Sequence, residues 1–355
     1  MNTKRIIIHI GFPRCGSTLL QREIFPRLDG DVRVVSPACV DRRLIDLLFE
    51  RFIFSGRNIY LAPVTPAEKT EVNHIMAEYP ESSLLISCEG LVGDSFDNMI
   101  SLPHLVGALH ALFGEPEILL IVRRQSDMVK SFYRHSLEEG CYKSFPAFLG
   151  FRRGRFVGFR LGRFAGINVD PTVLNFFNFV TFLQTSFGAG KVHVLPFEWI
   201  ERDFRRFCDY LSRIIGAKLP ASDGAPPVVN RGPRNGDLLL LKALNRLWDT
   251  RVFGIPLIPR LSLLEHYESQ RRGSGLAKRL LLAIAVRFSP MGAFHVVRPV
   301  LAPLLNLLFF ASATSEFQSE PAIEQAIDDA MFESNAELNR SLNGILTGLG
   351  YCDRP

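Results

Sequence analysis

The chain has 355 residues, of which 47% are hydrophobic and 22% are charged, and its formal net charge is +5. A chain of this length and composition can bury a large core, which excludes an intrinsically disordered protein. The modest positive charge favours anionic ligands or a membrane surface. It argues against a dedicated nucleic-acid binder, in which basic residues concentrate in a recognised module.

The N-terminal segment is predicted to form a strand, a loop and a helix. Ile6 to Ile10 is a nearly continuous apolar run, which is typical of a strand buried on both faces of a parallel sheet. Gly11 ends this strand, and apolar residues recur at helical spacing from Leu19 to Phe25. Backbone N–H groups of the loop from Pro13 to Thr18 would then form a cradle for a phosphate-like group.

The spacing of Gly11, Gly16, Ser17 and Thr18 matches a nucleotide-binding P-loop at every position except one. Ser17 stands where nucleotidases carry the lysine that reaches the terminal phosphates of ATP or GTP. Arg14 supplies a cation from inside the loop instead. This arrangement suits a donor that needs no metal and whose leaving group is a phosphate.

The six cysteines have no C-x-x-C spacing and no metal-ligand partners, which predicts reduced thiols and no metal site. Cys15 offers an alternative interpretation as a phosphatase nucleophile, because a thiol at a helix N-terminus has a lowered pKa. Such phosphatases need an arginine six residues after the cysteine, and Gln21 stands there. The phosphatase interpretation is therefore disfavoured.

The chain then alternates predicted strands with predicted helices. The strands are 32–35, 83–91, 117–124 and 191–198, and the helices are 41–54, 98–113, 127–139 and 172–188. This alternation predicts an α/β fold with a P-loop-type parallel sheet flanked by helices. In such sheets ligands bind beyond the C-terminal ends of the strands. The loop around Arg14, Glu89, and Arg123 with Arg124 are therefore expected at one edge.

Two of these segments resemble the signatures of sulfotransferases that use 3′-phosphoadenosine 5′-phosphosulfate (PAPS). The residues from His9 to Gln21 resemble the loop that binds the 5′-phosphosulfate, although members often carry lysine in place of Arg14 and threonine or serine in place of Cys15. The residues from Ile121 to His135 resemble the strand and helix that bind the 3′-phosphate. The matching residues there are Arg123, Asp127, Ser131, Phe132 and Tyr133.

The resemblance extends over nearly the whole chain, most closely to bacterial, carbohydrate-sulfotransferase-like members. It includes 195–216, 332–339 and 349–351, and it leaves a gap at roughly 237–325. It implies a PAPS-binding core over residues 1–236 and a C-terminal helix over 326–355 that completes the core. Residues 237–325 are predicted to be a helical, apolar and basic insertion or a subdomain on the substrate side. The C-terminal part is thus expected to be mainly helical.

The resemblance also implies roles for individual residues, with PAPS as the co-substrate and no metal. The predicted PAPS-binding residues are Pro13, Arg14, Cys15, Gly16, Ser17, Thr18, Arg123, Ser131, Asn230 and Arg231. Arg14 would stabilise the leaving group. Glu89 would be the base, because Ser87 to Leu91 looks like the stretch that carries a catalytic glutamate in carbohydrate-modifying members. Glu89 would otherwise cap a helix or pair with an arginine.

Two alternatives for the base and two for the function stay open. Members that act on phenols and steroids use histidine, and His104 and His110 are the candidates here, although both lie in a helical pattern that favours a structural role. A diverged P-loop kinase or NTPase predicts magnesium-dependent ATP binding. A non-catalytic nucleotide-binding protein of the same fold would be expected to have lost Glu89 or Arg123.

The expected acceptor is a hydroxyl of a glycan or glycolipid. The stretch from Arg152 to Phe164 interleaves five arginines with aromatic residues and suits an anionic acceptor. Two apolar runs, 278–288 and 300–310, are predicted to form a buried helix hairpin or, if exposed, a peripheral membrane contact. Because the first strand starts at Ile6 and leaves no room for a signal peptide, we expect a cytoplasmic protein. If the two apolar runs are exposed, we expect it at the inner membrane surface.

Overall fold

The computed structural model describes residues 4–12, 14–48, 51, 63–89, 91, 102–138, 141–156, 171, 174–219, 235–248, 251–252, 255–256 and 321–353. The chain forms two compact units. The first comprises Met1–Met128, Pro171–Asn230 and Ile327–Pro355, and the second comprises Val129–Asp170 and Arg231–Ala326. The domain boundaries at residues 236 and 325 stay a prediction.

Five parallel strands form the central sheet of the first unit. The strands within the described residues are β1 (Arg5–Gly11), β2 (Val32–Val35), β3 (Ser83–Glu89), β4 (Glu117–Val122), β5 (Phe151–Arg152), β6 (Arg155–Phe156), β7 (Val192–Pro196), β8 (Arg251–Val252) and β9 (Ile255–Pro256). The central sheet has the order β2-β3-β1-β4-β7, and β5–β6 and β8–β9 are antiparallel pairs. The predicted parallel sheet is confirmed.

Helices alternate with these strands, as the sequence predicts. The helices in the part of the chain that the structure describes are α1 (Ser17–Leu19), α2 (Arg43–Leu48), α3 (Pro66–Ala77), α4 (Leu102–Phe113), α5 (Gln125–Glu138), α6 (Phe145–Phe148), α7 (Phe176–Phe187), α8 (Glu198–Arg202), α9 (Phe204–Ile215), α10 (Asn235–Trp248) and α11 (Pro321–Ser341). After α1 the chain continues as a π-helical turn over Leu20–Ile24 and a 3₁₀ turn over Phe25–Arg27. The described residues of the C-terminal part are mainly helical, which confirms that prediction.

The centre of the sheet is fully buried. Ile7, Ile8, Ile10 and every residue from Ile118 to Val122 have 0% exposure. In the register of the sheet Gly11 lies between Glu89 of β3 and Ile121 of β4. The C-terminal ends of the three central strands therefore meet at one edge, where the candidate site residues were expected.

The described ranges contain no helix with the length and hydropathy that a membrane span requires. The apolar runs predicted at 278–288 and 300–310 lie outside the described residues.

Candidate functional site

The loop between β1 and α1 has the backbone geometry of an anion cradle. Arg14 and Gly16 adopt left-handed conformations, with φ of 69° and 85°. The Cys15 N–H donates to Phe12 O at 3.3 Å, and the Leu20 N–H donates to Gly16 O at 3.1 Å, so the chain turns tightly from strand to helix. Left-handed residues followed by right-handed ones gather successive N–H groups into a concave nest that binds anions.

Two glycines allow this tight turn. A Cβ on Gly11 would clash with Ser17 Oγ, and a Cβ on Gly16 would lie 2.9 Å from Cε2 of Phe197. Real Cβ atoms essentially never approach other atoms this closely, so a side chain at either position would force a neighbour to shift, and the φ of 85° at Gly16 favours glycine there in addition. The P-loop spacing seen in the sequence therefore reflects contacts of this loop with Ser17 on one side and Phe197 on the other.

The hydroxyl of Ser17 fits a bound oxyanion. Ser17 is 3% exposed, and its Oγ has no hydrogen-bond partner among the described residues. A buried hydroxyl without a partner is uncommon in native proteins and calls for an explanation such as a ligand. Its position at the start of α1, directly after the nest, makes it a suitable donor to a phosphate-like group.

Arg123 lies against the loop, which joins the two sequence signatures in one site. Its Nη1 donates to the carbonyl oxygen of Arg14 at 3.0 Å. Its guanidinium stacks on the ring of Phe197, with Cζ 4.4 Å from the ring centroid. Because Phe197 also packs on Gly16, one aromatic ring lies between the loop and the arginine that follows β4.

Cys15 turns its side chain into the core. It is fully buried, and its Sγ lies 4.0 Å from Sδ of Met128. A thiol in this position cannot reach a substrate held by the loop, so the geometry argues against the phosphatase interpretation. None of the six cysteines forms a disulfide bond, and no group of potential metal ligands occurs among the described residues.

Glu89 is the last residue of β3, and its backbone pairs in register with Gly11 at the base of the loop. The two histidines that were considered as alternative bases both lie in α4. His110 places Nδ1 2.8 Å from Gly114 O and Nε2 3.0 Å from Ser186 O, so both ring nitrogens face backbone carbonyls. These contacts fit the structural role that its helical position predicts.

The second sequence signature continues into α5. Asp127 forms an ion pair with Arg124 at 2.9 Å, within the first turn of α5. Ser131 lies farther along the same helix and is half-buried. Pro13, Asn230 and Arg231 lie outside the described residues, so their predicted role in binding PAPS stays a prediction.

Three residues that sequence reasoning did not assign to the site lie beside Arg123 and Arg124. Phe197 stacks on Arg123, and Glu198 Oε1 accepts a hydrogen bond from the Arg124 N–H at 2.8 Å. Tyr351 donates its hydroxyl proton to Glu198 Oε2 at 2.8 Å. The signal in the sequence was the position of Phe197 and Glu198 at the end of a strand, the same criterion that selected Glu89.

Burial is the main influence on the pKa values of Glu198 and Tyr351. Desolvation raises the pKa of Glu198, although hydrogen bonds from Arg124 N–H and Tyr351 and the charge of Arg123 oppose the rise. Burial, together with the neighbouring Glu198 carboxylate, raises the pKa of Tyr351 well above its usual value. Tyr351 therefore keeps its proton and acts as a donor to Glu198.

A second buried polar cluster lies beneath the loop. Nδ1 of His9 pairs with Oγ of Ser87 at 2.8 Å, and Gln21 Nε2 donates to the same oxygen at 3.1 Å. His9 has 0% exposure, and its Nε2 has no hydrogen-bond partner in the described part of the chain. Burial lowers the pKa of His9 to about 4, so the ring is neutral in the folded protein near neutral pH.

Acidification is expected to destabilise the protein through His9. The pKa of about 4 in the folded state lies below the value of about 6.5 in an unfolded chain. Well above pH 6.5, His9 therefore does not lower the free energy of unfolding. This free energy falls as the pH drops, because the unfolded state takes up the proton first. By pH 4 the loss should reach about 3 kcal/mol. Urea unfolding of the wild type and His9→Gln between pH 7 and 4 measures it.

The His9→Gln variant should lack this part of the pH dependence. His74→Gln serves as the matched control, because the side chain of His74 is 79% exposed. If the free energy of unfolding depended on pH identically in the wild type and His9→Gln, the effect could not be assigned to His9.

Comparison with known proteins finds no matching family model and no matching curated protein. Among solved structures, a sulfotransferase from Alicyclobacillus acidocaldarius is 16% identical with a TM-score of 0.42, and the match covers 68% of this chain and 92% of that chain. Mouse sulfotransferase SULT7A1 complexed with PAP is 14% identical with a TM-score of 0.33, and the match covers 92% of this chain and 88% of that chain. At such TM-scores the case for a function has to come from the site residues.

Proposed function

We propose that this chain is a sulfotransferase that moves the sulfuryl group of PAPS to an acceptor hydroxyl. The observation that carries the proposal is the contact between Arg123 and the carbonyl oxygen of Arg14. It joins an anion-binding loop that lacks the P-loop lysine to a second cation at the end of the neighbouring strand. The loop suits the 5′-phosphosulfate, and Arg123 suits the 3′-phosphate.

The chemistry asks the protein mainly for positioning and charge stabilisation. The acceptor oxygen forms a bond to sulfur while the bond from sulfur to the bridging oxygen breaks, and the electron pair leaves on the 5′-phosphate. Arg14 offsets the charge that develops on the bridging oxygen. The loop N–H groups and the hydroxyls of Ser17 and Thr18 add hydrogen bonds to the same group.

In this proposal Glu89 takes the proton of the acceptor hydroxyl. This role is supported by the register of the sheet, in which Glu89 ends β3 beside Gly11. The Glu89 backbone therefore lies at the edge of the sheet that carries the loop. A base at this point lies next to the donor site, as transfer between two bound substrates requires.

Donor binding is expected to be independent of metal and to depend on the 3′-phosphate. In calorimetry with EDTA present, 3′,5′-diphosphoadenosine should bind far more tightly than AMP. Arg123→Ala should weaken binding of the diphosphate about ten- to a hundredfold, because removing a charged partner of a phosphate costs about 1.5–3 kcal/mol. AMP binding should change little, since AMP has no 3′-phosphate.

Arg33→Ala is a matched control for this measurement. Arg33 also stacks on an aromatic ring, with its Cζ 5.1 Å from the ring centroid of Tyr79, but it belongs to β2. Equal affinities of the wild type for the diphosphate and AMP would overturn the proposed donor. ATP binding that needs magnesium would favour a diverged kinase or NTPase.

We propose a glycan or glycolipid hydroxyl as the acceptor, on the evidence of the β5–β6 hairpin. Arg152 and Arg155 are exposed and directly paired across its strands, and exposed Arg153 forms its tip in a left-handed conformation with φ of 53°. The three arginines have no ionic partner among the described residues. Phe151 and Phe156 pair on the hairpin with ring centroids 5.1 Å apart. Like charges placed directly opposite each other are unfavourable unless an anion lies between them.

The acceptor class can be identified with donor labelled in the sulfo group and fractionated host extract. Label in a glycan or glycolipid fraction is the expected result, and label confined to protein or small phenols would contradict it. Flotation with anionic vesicles at low salt then tests whether the protein contacts a membrane surface to reach a glycolipid.

A further inference from the structure

The turn that carries Arg123 is held by two consecutive residues of another segment. The Phe197 N–H donates to Val122 O at 2.7 Å, and the Phe197 ring lies under the guanidinium of Arg123. Glu198 accepts from the Arg124 N–H at 2.8 Å. Three successive residues at the end of β4 are therefore held in place. Val122 and Arg124 are held through their main chain, and Arg123 is held through its side chain.

The second oxygen of Glu198 is held by the C-terminal segment. Tyr351 donates to Glu198 Oε2 at 2.8 Å, and the two residues are 2% and 5% exposed. Asn335 Nδ2 donates to Tyr351 O at 3.1 Å and also to Gln125 Oε1 at 3.1 Å, while Gln125 returns a hydrogen bond to Asn335 Oδ1 at 2.9 Å. The C-terminal segment thus reaches the two residues that directly follow Arg123: Arg124 through Glu198, and Gln125 through Asn335.

We propose that Glu198 and Tyr351 are positioning residues that determine selectivity for the 3′-phosphate by fixing the turn that carries Arg123. The inference rests on the proposed function and deepens it. A buried carboxylate is a poor choice for stability alone, because an apolar residue avoids its desolvation cost. A fully hydrogen-bonded buried network does, however, hold one arrangement of the chain rigidly.

Tyr351→Phe tests the proposal because it removes the hydroxyl that fixes Glu198 and leaves the ring in place. The affinity for 3′,5′-diphosphoadenosine should fall about three- to tenfold, the coupling expected within one hydrogen-bond network, while the affinity for AMP stays unchanged. Tyr79→Phe is the matched control, since Tyr79 is 5% exposed and donates to a carboxylate oxygen of Asp41 at 3.3 Å.

Further variants distinguish this role from a merely structural one. If Tyr351 acts through Arg123, adding Tyr351→Phe to Arg123→Ala should produce no further loss of affinity, and additive losses would overturn the proposal. Should Tyr351→Phe fail to fold, Glu198→Ala provides a second test and should lose the preference for the 3′-phosphate. Glu198→Gln should retain more of it, because its amide still provides an acceptor for the Arg124 N–H.

The outcome for the wild type separates this inference from the proposed function. A wild type that does not prefer the diphosphate to AMP overturns the proposed function, and the inference falls with it. If the wild type has that preference and Tyr351→Phe keeps it undiminished, the inference alone is overturned. Should Tyr351→Phe not fold, an undiminished preference in Glu198→Ala overturns it instead.

Discussion

Glu89→Gln is expected to lower turnover by about two to four orders of magnitude, which is the usual contribution of a positioned general base. The amide keeps the size of the side chain but cannot accept the proton of the acceptor hydroxyl. Donor binding should remain intact, because the proposed donor contacts come from the loop and from Arg123. Steady-state kinetics gives the turnover, and calorimetry with 3′,5′-diphosphoadenosine gives the binding.

Glu81→Gln is a suitable control, since Glu81 precedes the same strand at the opposite end of the sheet from the loop. It should leave turnover unchanged. Near-normal turnover in Glu89→Gln, combined with loss of turnover in a His104 or His110 variant, would require the carboxylate base to be abandoned.

Arg14→Gly is expected to lower turnover by about two to three orders of magnitude, as the loss of one charge-stabilising donor does in other enzymes. Some loss of donor affinity should accompany it. The substitution isolates the side chain, because the hydrogen bond from Arg123 goes to the carbonyl oxygen of residue 14, which glycine retains. Arg14→Lys should keep part of the activity, since it preserves the charge but not the planar group.

The same substitution should not destabilise the fold. Arg14 has φ of 69°, a conformation that costs a residue with a Cβ roughly 1–2 kcal/mol and that glycine adopts readily. Thermal unfolding should therefore show equal or higher stability together with lower turnover. Asn343→Gly makes a comparable backbone change at φ of 54° in the turn after α11 and should leave turnover unchanged. Normal turnover in Arg14→Gly would show that the loop cation is not needed.

Local patterns in the sequence located the five strands of the central sheet and most helices, with small errors at their ends, but not the short strands of the β5–β6 and β8–β9 pairs. The helix predicted at 172–188 begins at Phe176, where the Asn175 side chain caps it by accepting from the Asn178 N–H. No predicted helix corresponds to α3, although Thr65 and Glu68 form a capping box at its start. That signal was present in the sequence, because a capping box needs only residues three apart.

The sequence by itself determined the loop and the edge of the sheet at which Arg14, Glu89 and Arg123 are found. Those inferences depend on spacing within one segment and on the rule that parallel strands present their C-terminal ends together. Only the tertiary structure decided that Phe197 packs between Gly16 and Arg123 and that Tyr351 holds Glu198 from 153 residues away. Such contacts depend on strand order and on how the C-terminal segment packs, and neither leaves a periodic signal in a local stretch of sequence.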